Sequence, residues 1–218
     1  MRLVTFDKHG RPAPGVRRGD SIVDLAAAAT GLKSDWPAIF AAGQLGRVAE
    51  IARSASGKTL LPAARTKLWV PIPDPPKIPC IGLNYVSHAR ETGMAIPDYP
   101  TVFNRFATSF AAPGAALIRP RASEAFDYEA ELVIVIGKAG RHIAKEKALE
   151  HVAGYACGND GSLRDYQMKT TQWLIGKNFD ASGSWGPEIV TPDELPPGAR
   201  GLGIRCRLNG ETLQDGNT

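Results

Sequence analysis

Two glutamates one residue apart, Glu129 and Glu131, are the side chains whose type and spacing first suggest chemistry. They lie in Asp127-Tyr128-Glu129-Ala130-Glu131-Leu132-Val133-Ile134-Val135-Ile136-Gly137. The segment has strong β propensity, and the period-two geometry of a strand puts both glutamates on one face. Side chains two positions apart on such a face are roughly 7 Å apart. Two anions there, beside a run of buried aliphatics, repel each other and lose hydration unless a cation bridges them. The alternative is an edge strand whose start is solvated, with both glutamates exposed and Asp127 an ordinary strand-entry residue. A third oxygen ligand separates the two readings. The candidate is Asp160, closing Ala153-Gly154-Tyr155-Ala156-Cys157-Gly158-Asn159-Asp160, where a strand runs into a loop and then a short helix near Ser162. An acid at such a junction can equally be a helix cap.

The elements that must position these acids are mostly strands. Arg2 to Phe6 reads as a strand, His9-Gly10 as a turn, and Gly15 to Asp24 as short strands followed by an Ala-rich helix from Leu25. A second helix spans Leu45 to Ala55. From Ser56 to Pro76 the chain turns to Gly, Lys and Pro, ending in Pro71, Pro73, Pro75 and Pro76, which resists regular structure and marks a boundary. Residues 1–76 therefore read as a small N-terminal domain with its linker, and 77–218 as a second domain. In the latter, Ile78 to Leu83, Tyr128 to Ile136 and Leu202 to Leu208 are strand-like, separated by loops and short helical pieces: a β-rich α+β pattern. Asn209-Gly210, between Arg205 to Leu208 and Glu211 to Gln214, predicts a type I′ hairpin. Thr191-Pro192-Asp193-Glu194 has the capping-box order and predicts a short helical turn.

Composition narrows the function classes. With 218 residues and 43% hydrophobic content, a substantial core is feasible. No aliphatic run approaches the roughly 20 residues of a membrane span, and Met1 to Gly10 lacks a signal-peptide pattern, so a cytoplasmic protein is expected. Cys80, Cys157 and Cys206 are widely spaced and odd in number, which argues for free, buried thiols rather than disulfides or a metal knuckle. The net charge of +4 is scattered instead of striped, arguing against nucleic acid and suiting anionic metabolites. Gly57-Lys58-Thr59 imitates a phosphate-binding loop, but Ala52 stands where its first glycine is required. Gly201-Leu202-Gly203 lacks the third glycine of a dinucleotide site.

From Ile78 to Thr218 the sequence resembles the fumarylacetoacetate hydrolase family. The resemblance rests on motifs in order: Gly82-Leu83-Asn84-Tyr85 with His88 and Glu91; Asp127-Tyr128-Glu129-Ala130-Glu131-Leu132; Ile136-Gly137-Lys138; Gly158-Asn159-Asp160 with Arg164-Asp165 and Gln167; then Trp173, Gly176-Lys177 and Gly186-Pro187. It implies a mixed β-sheet roll or sandwich core with a small β-rich N-terminal domain. It also implies that Glu129, Glu131 and Asp160 are the metal ligands, holding Mg²⁺ or Mn²⁺. An all-oxygen set of this kind favours hard cations over zinc. His88 and Glu91 match the family's acid/base pair; at spacing three on a helix they can touch, and the carboxylate can orient the imidazole. Outside the family such a pair is an ordinary surface ion pair. Lys177 matches a lysine aimed at a developing oxyanion. Arg164 and Gln167 match substrate-binding positions, and Arg105 stands where many relatives have lysine, able to grip a carboxylate bidentately.

The implied activity is metal-dependent hydrolytic carbon–carbon cleavage of an acylpyruvate-like 2,4-dioxo acid, with His88 activating water. Decarboxylases and isomerases of 2-oxo acids in the same family need no attacking water and form the alternative. The resemblance further implies a homodimer, and strands beyond the Gly210-Glu211 hairpin. On that expectation the chain is a C-terminally truncated member or a fragment, which leaves open an inactive form that binds metal only.

Overall fold

The computed structural model describes residues 1–91, 93 and 95–218. In chain order its strands are β1 (Arg2–Lys8), β2 (Arg11–Arg18), β3 (Ser21–Asp24), β4 (Leu60–Pro62), β5 (Pro79–Gly82), β6 (Thr101–Asn104), β7 (Phe110–Ala111), β8 (Phe126–Asp127), β9 (Ala130–Ile136), β10 (Val152–Asn159), β11 (Ser162–Leu163), β12 (Gly183–Val190), β13 (Gly203–Leu208) and β14 (Glu211–Asn217). The α-helices are α1 (Leu25–Ala28), α2 (Trp36–Ala41), α3 (Leu45–Ser54), α4 (Val86–Glu91), α5 (Arg164–Gln167) and α6 (Leu174–Lys177). This is the β-rich α+β class expected, and no described helix is long and apolar enough to cross a membrane.

Two compact units share the chain. One comprises Met1–Pro73, Leu132–Cys157 and Trp185–Arg200; the other comprises Asp74–Glu131, Gly158–Ser184 and Gly201–Thr218. The first is built on strands in the order β4-β3-β2-β1-β12-β10-β9. Its N-terminal strands join the later ones where β1 pairs antiparallel with β12, Arg2 opposite Val190 and Leu3 opposite Ile189. Val4 and Phe6 of β1 cluster with Ala13 and Ile22, closed over by Leu61, Ala63 and Leu68. Helix α2, which has no counterpart in the sequence reading, presents Trp36, Ile39 and Phe40 on one buried face and is capped by Asp35, whose carboxylate accepts the Ala38 N–H at 2.8 Å. The buried Trp36 indole donates to the Val4 carbonyl at 3.0 Å, so its polar atom is satisfied.

The second unit is made of short pairings: β5 with β6, β8 with β11 and β13 with β14, all antiparallel, and β7 parallel to Gly183 and Ser184 of β12. Asn209 and Gly210 join β13 to β14 with φ of 53° and 89°, as a type I′ turn requires.

Four local expectations are corrected. The strand thought to begin at Tyr128 begins at Ala130, because the Tyr128 and Glu129 N–H groups donate to the side chains of Asp127 (2.9 Å) and Asn159 (3.0 Å) instead of a ladder. Ser162 opens no helix: it pairs with Asp127 in β11, and α5 starts at Arg164. The turn after Thr191 forms over Pro192–Glu194, but as a 3-10 turn without a side-chain cap, since the Thr191 hydroxyl is engaged by the Met1 amine. The three cysteines are free, but Cys157 is exposed and Cys80 and Cys206 are only partly buried.

Truncating Phe6, which is almost fully buried, should remove about 3–5 kcal/mol of stability. Urea unfolding of Phe6→Ala is expected to show a clearly lowered midpoint; an unchanged midpoint would contradict the packing described.

Candidate active site

The acids are brought together by backbone, not by one strand face. Asn159 accepts the Glu129 N–H, and the Asp160 N–H donates to the Glu129 carbonyl at 2.9 Å, so the end of β10 is stitched to the residue preceding β9. The Ala130 N–H donates to the Gln214 side chain at 2.7 Å. Pairing of β8 with β11 sets Asp127 opposite Ser162, and the first N–H of α5, that of Arg164, donates to the Ala125 carbonyl at 2.9 Å. Gly176 lets α6 lie directly on α5: a Cβ there would come within 2.4 Å of the Gln167 backbone nitrogen. That close approach delivers Lys177 to the acids.

Lys177 is 1% exposed. Its ammonium donates to Glu129 Oε2 at 2.7 Å and to Asp160 Oδ2 at 2.9 Å, with the Phe103 ring centroid 5.2 Å away. The remaining oxygens of the same two carboxylates face guanidinium groups. Arg164 binds Glu129 Oε1 through Nη1, Asp127 Oδ2 through Nε (2.8 Å), and the side-chain Oε1 of Gln167 through Nη1 (2.9 Å). Its own pKa is raised, Glu129 and Asp127 overcoming the effect of burial. Arg105, 3% exposed, binds Asp160 Oδ1 and spends its other donors on Ser109, Ser182 (2.9 Å) and the Gly161 carbonyl (3.2 Å). It stands behind Asp160 with its fork fully engaged, which does not suit the substrate grip expected of it.

Glu131 belongs to the same electrostatic group. Burial first, then repulsion by Glu129 and Asp160, push its carboxyl up to about 7, against the opposing effects of Lys177 and a hydrogen bond with Tyr85. His88 and Glu91 do share α4, but as an exposed pair: Nδ1 lies 4.0 Å from Glu91 Oε2, with the imidazole side chain 47% exposed. The structure thus draws together Glu129, Asp160, Lys177, Arg164, Gln167 and Arg105, and sets the His88–Glu91 pair on a surface helix. Four contributors escaped the sequence reading as site residues. Asn159 and Tyr85 lay inside the quoted motifs; Ser162, fully buried and donating to the Asp160 carbonyl at 2.8 Å, and Cys80 carried no sequence signal.

A divalent cation suits the donor set on chemical grounds: three carboxylates, hard oxygen ligands, with one acid unable to keep its charge near neutrality beside the other two. The side chains as placed are not in a metal-ligand arrangement. Among the described residues no three His, Cys, Asp or Glu groups are gathered closely enough for an ion; Glu129 and Asp160 converge on the Lys177 ammonium instead.

The fold and this centre define a β-rich α+β protein with buried carboxylates held by one ammonium and two guanidinium groups. Residues 77–218 match the model of the fumarylacetoacetate (FAA) hydrolase C-terminal region. Over its whole length the chain is 40% identical to oxaloacetate tautomerase fahd2, mitochondrial, of Xenopus laevis, covering 70% of that protein. All of the chain superposes on 76% of maleylpyruvate hydrolase from Sphingobium sp. SYK-6, solved with manganese(II) and pyruvate, with a TM-score of 0.79 and 27% identity. It also superposes on 75% of fumarylacetoacetate hydrolase from psychrophilic Exiguobacterium antarcticum, with a TM-score of 0.78 and 28% identity. The chain belongs to the fumarylacetoacetate hydrolase family, a family of enzymes. The Xenopus relative is mitochondrial by name, whereas a cytoplasmic protein was expected here.

Two outcomes follow from the geometry. Burial, with Asp160 adding repulsion, pushes the Cys80 thiol up to about 12, so at pH 8 it stays a neutral thiol and a poor nucleophile. Iodoacetamide at that pH should label exposed Cys157 and spare Cys80 until the protein is unfolded, read by peptide mass spectrometry; equal labelling of the two would contradict it. Arg105→Ala should cost roughly 3–5 kcal/mol, because it leaves the buried Oδ1 of Asp160 without its guanidinium partner, and denaturant unfolding would register the loss.

Proposed function

We propose that this protein interconverts the keto and enol forms of a small 2-oxo diacid of the oxaloacetate type, as a divalent-metal-dependent enzyme with Glu129, Glu131 and Asp160 as the residues that would hold the metal. The observation that carries the reading is the buried Lys177 ammonium set between two carboxylates. It is a buried positive charge of the kind that favours an enolate over its keto form. Identity of 40% along the whole chain to an oxaloacetate tautomerase supports the same reaction class.

In this reading His88 takes a proton from the carbon next to the 2-oxo group and returns it to the enolate oxygen, the imidazole being suited to both roles near neutrality. Glu91 orients the imidazole. Lys177 stabilises the oxyanion, and Arg164 with Gln167 binds a substrate carboxylate. Arg105 acts through Asp160 and is a positioning residue. When bound, Mg²⁺ or Mn²⁺ would add positive charge that stabilises the enolate. No attacking water is needed, in keeping with a His88 that is half exposed and only loosely tied to Glu91. Homodimeric assembly, supported by the family resemblance, completes the reading.

Hydrolytic carbon–carbon cleavage of an acylpyruvate-like 2,4-dioxo acid is the second reading, favoured by the likeness to maleylpyruvate hydrolase and by the presence of a histidine–glutamate pair. Following the ultraviolet absorbance of oxaloacetate enol separates the two. With Mg²⁺ or Mn²⁺ the protein should accelerate enol-to-keto conversion, His88→Ala should slow it roughly 100- to 10,000-fold, and Glu129→Ala should lose metal binding and turnover together. No acceleration by metal-loaded protein would sink the proposal, and pyruvate release from acylpyruvates would then favour the second reading.

A further inference from the structure

Every oxygen of Glu129 and Asp160 already faces a cation. Arg164 takes Glu129 Oε1 and Arg105 takes Asp160 Oδ1, while Lys177 takes Glu129 Oε2 and Asp160 Oδ2. A dication drawn to these carboxylates meets a cation already seated on each oxygen, and like-charge repulsion favours displacing one of the three. The guanidinium groups are anchored elsewhere as well: Arg105 by Ser109, Ser182 and Gly161, Arg164 by Asp127 and Gln167. Lys177 is tied differently. Among the described residues its hydrogen bonds go to these two carboxylates, and its flexible four-carbon stem can swing the ammonium without moving α6. The face of Phe103, 5.2 Å from Nζ, offers it a neighbour that tolerates positive charge.

Charge counting points the same way. Asp127, Glu129 and Asp160 are matched by Arg105, Arg164 and Lys177, which leaves Glu131 as the odd acid. With the other three acids already balanced, a dication seated among them brings excess positive charge, which favours release of the least anchored cation.

We propose that the Lys177 ammonium and the divalent metal are alternative occupants of the same carboxylate oxygens: the lysine is the internal counter-ion of the metal-free protein, and metal loading releases it to face substrate. The inference rests on the metal-dependent reading above and adds to it an order of events, since Lys177 becomes available to an oxyanion only once the metal is in place.

Mn²⁺ binding, measured without substrate by the electron paramagnetic resonance signal of the free ion, tests it. Lys177→Met should bind Mn²⁺ about tenfold tighter than wild type or more, because Glu129 Oε2 and Asp160 Oδ2 lose the ammonium they share, and Mn²⁺ should raise its melting temperature more than that of wild type. Equal or weaker binding by the variant, with wild type binding normally, overturns the competition alone. Absence of Mn²⁺ binding in both overturns the metal reading and the competition with it. A measurement on unmodified protein guards against a variant that does not fold: the ¹⁵N signal of the Lys177 ammonium should shift across the same Mg²⁺ concentrations that saturate binding, and a signal unmoved at saturation refutes the displacement.

Discussion

The second unit is organised around one buried bridge, the Lys177 ammonium shared by Glu129 and Asp160. Removing an ammonium and two carboxylates from water costs several kcal/mol per ion, and only close geometry with further hydrogen bonds offsets it. The surrounding sequence supplies that geometry. Gly176 permits the contact of α6 with α5, Asn159 and the Asp160 N–H tie the two acids through backbone, and Ser162 donates to the Asp160 carbonyl. Arg105 and Arg164 then complete the second oxygen of each carboxylate. Loss of Arg105, Arg164 or Lys177 leaves a buried carboxylate oxygen without its cation, so residues that touch no substrate are as constrained as those that would.

The two arginines show how one side-chain type divides its labour. Arg105 is sealed in, and its donors are all spent on Asp160, two serines and a carbonyl. Arg164 keeps about a third of its side-chain surface open, at 35% exposure, while holding Asp127, Glu129 and Gln167. Arg164 is thus the one of the two that solvent reaches, while Arg105 acts only on the acid it fixes.

What the sequence made legible was whatever local chemistry decides. Asn209-Gly210 specifies its turn because both residues accept positive φ. β1 and α3 follow from short-range pattern, and both were read within a few residues of their limits. Long-range partners set the rest. Tyr128 has every propensity for a strand, yet the segment breaks there because the next residue's N–H is taken by Asn159, thirty residues further on and unmarked as a partner. Helix α2 was missed because its six residues are too few for a periodic signal and it is held by Asp35 and by an indole bond to Val4. The candidate site was legible as a set of residue types only through the ordered motifs of the family. Neither the burial of Lys177 nor the enclosure of Arg105 could be read from composition, since both residue types are usually solvated.

The pairing of β1 with β12 also bears on how the chain is made. Arg2 and Leu3 have Val190 and Ile189 as their partners on one side, residues that are synthesised long after them. Until β12 has been synthesised, that flank of β1 is an open hydrogen-bonding edge beside the apolar residues Leu3 and Val4, both fully buried in the folded protein. A nascent chain of this design must keep a nearly complete meander of β1, β2 and β3 from pairing with a neighbour's for the length of translation. Slow elongation or crowded polysomes would therefore penalise its yield more than that of a protein whose first strand closes locally.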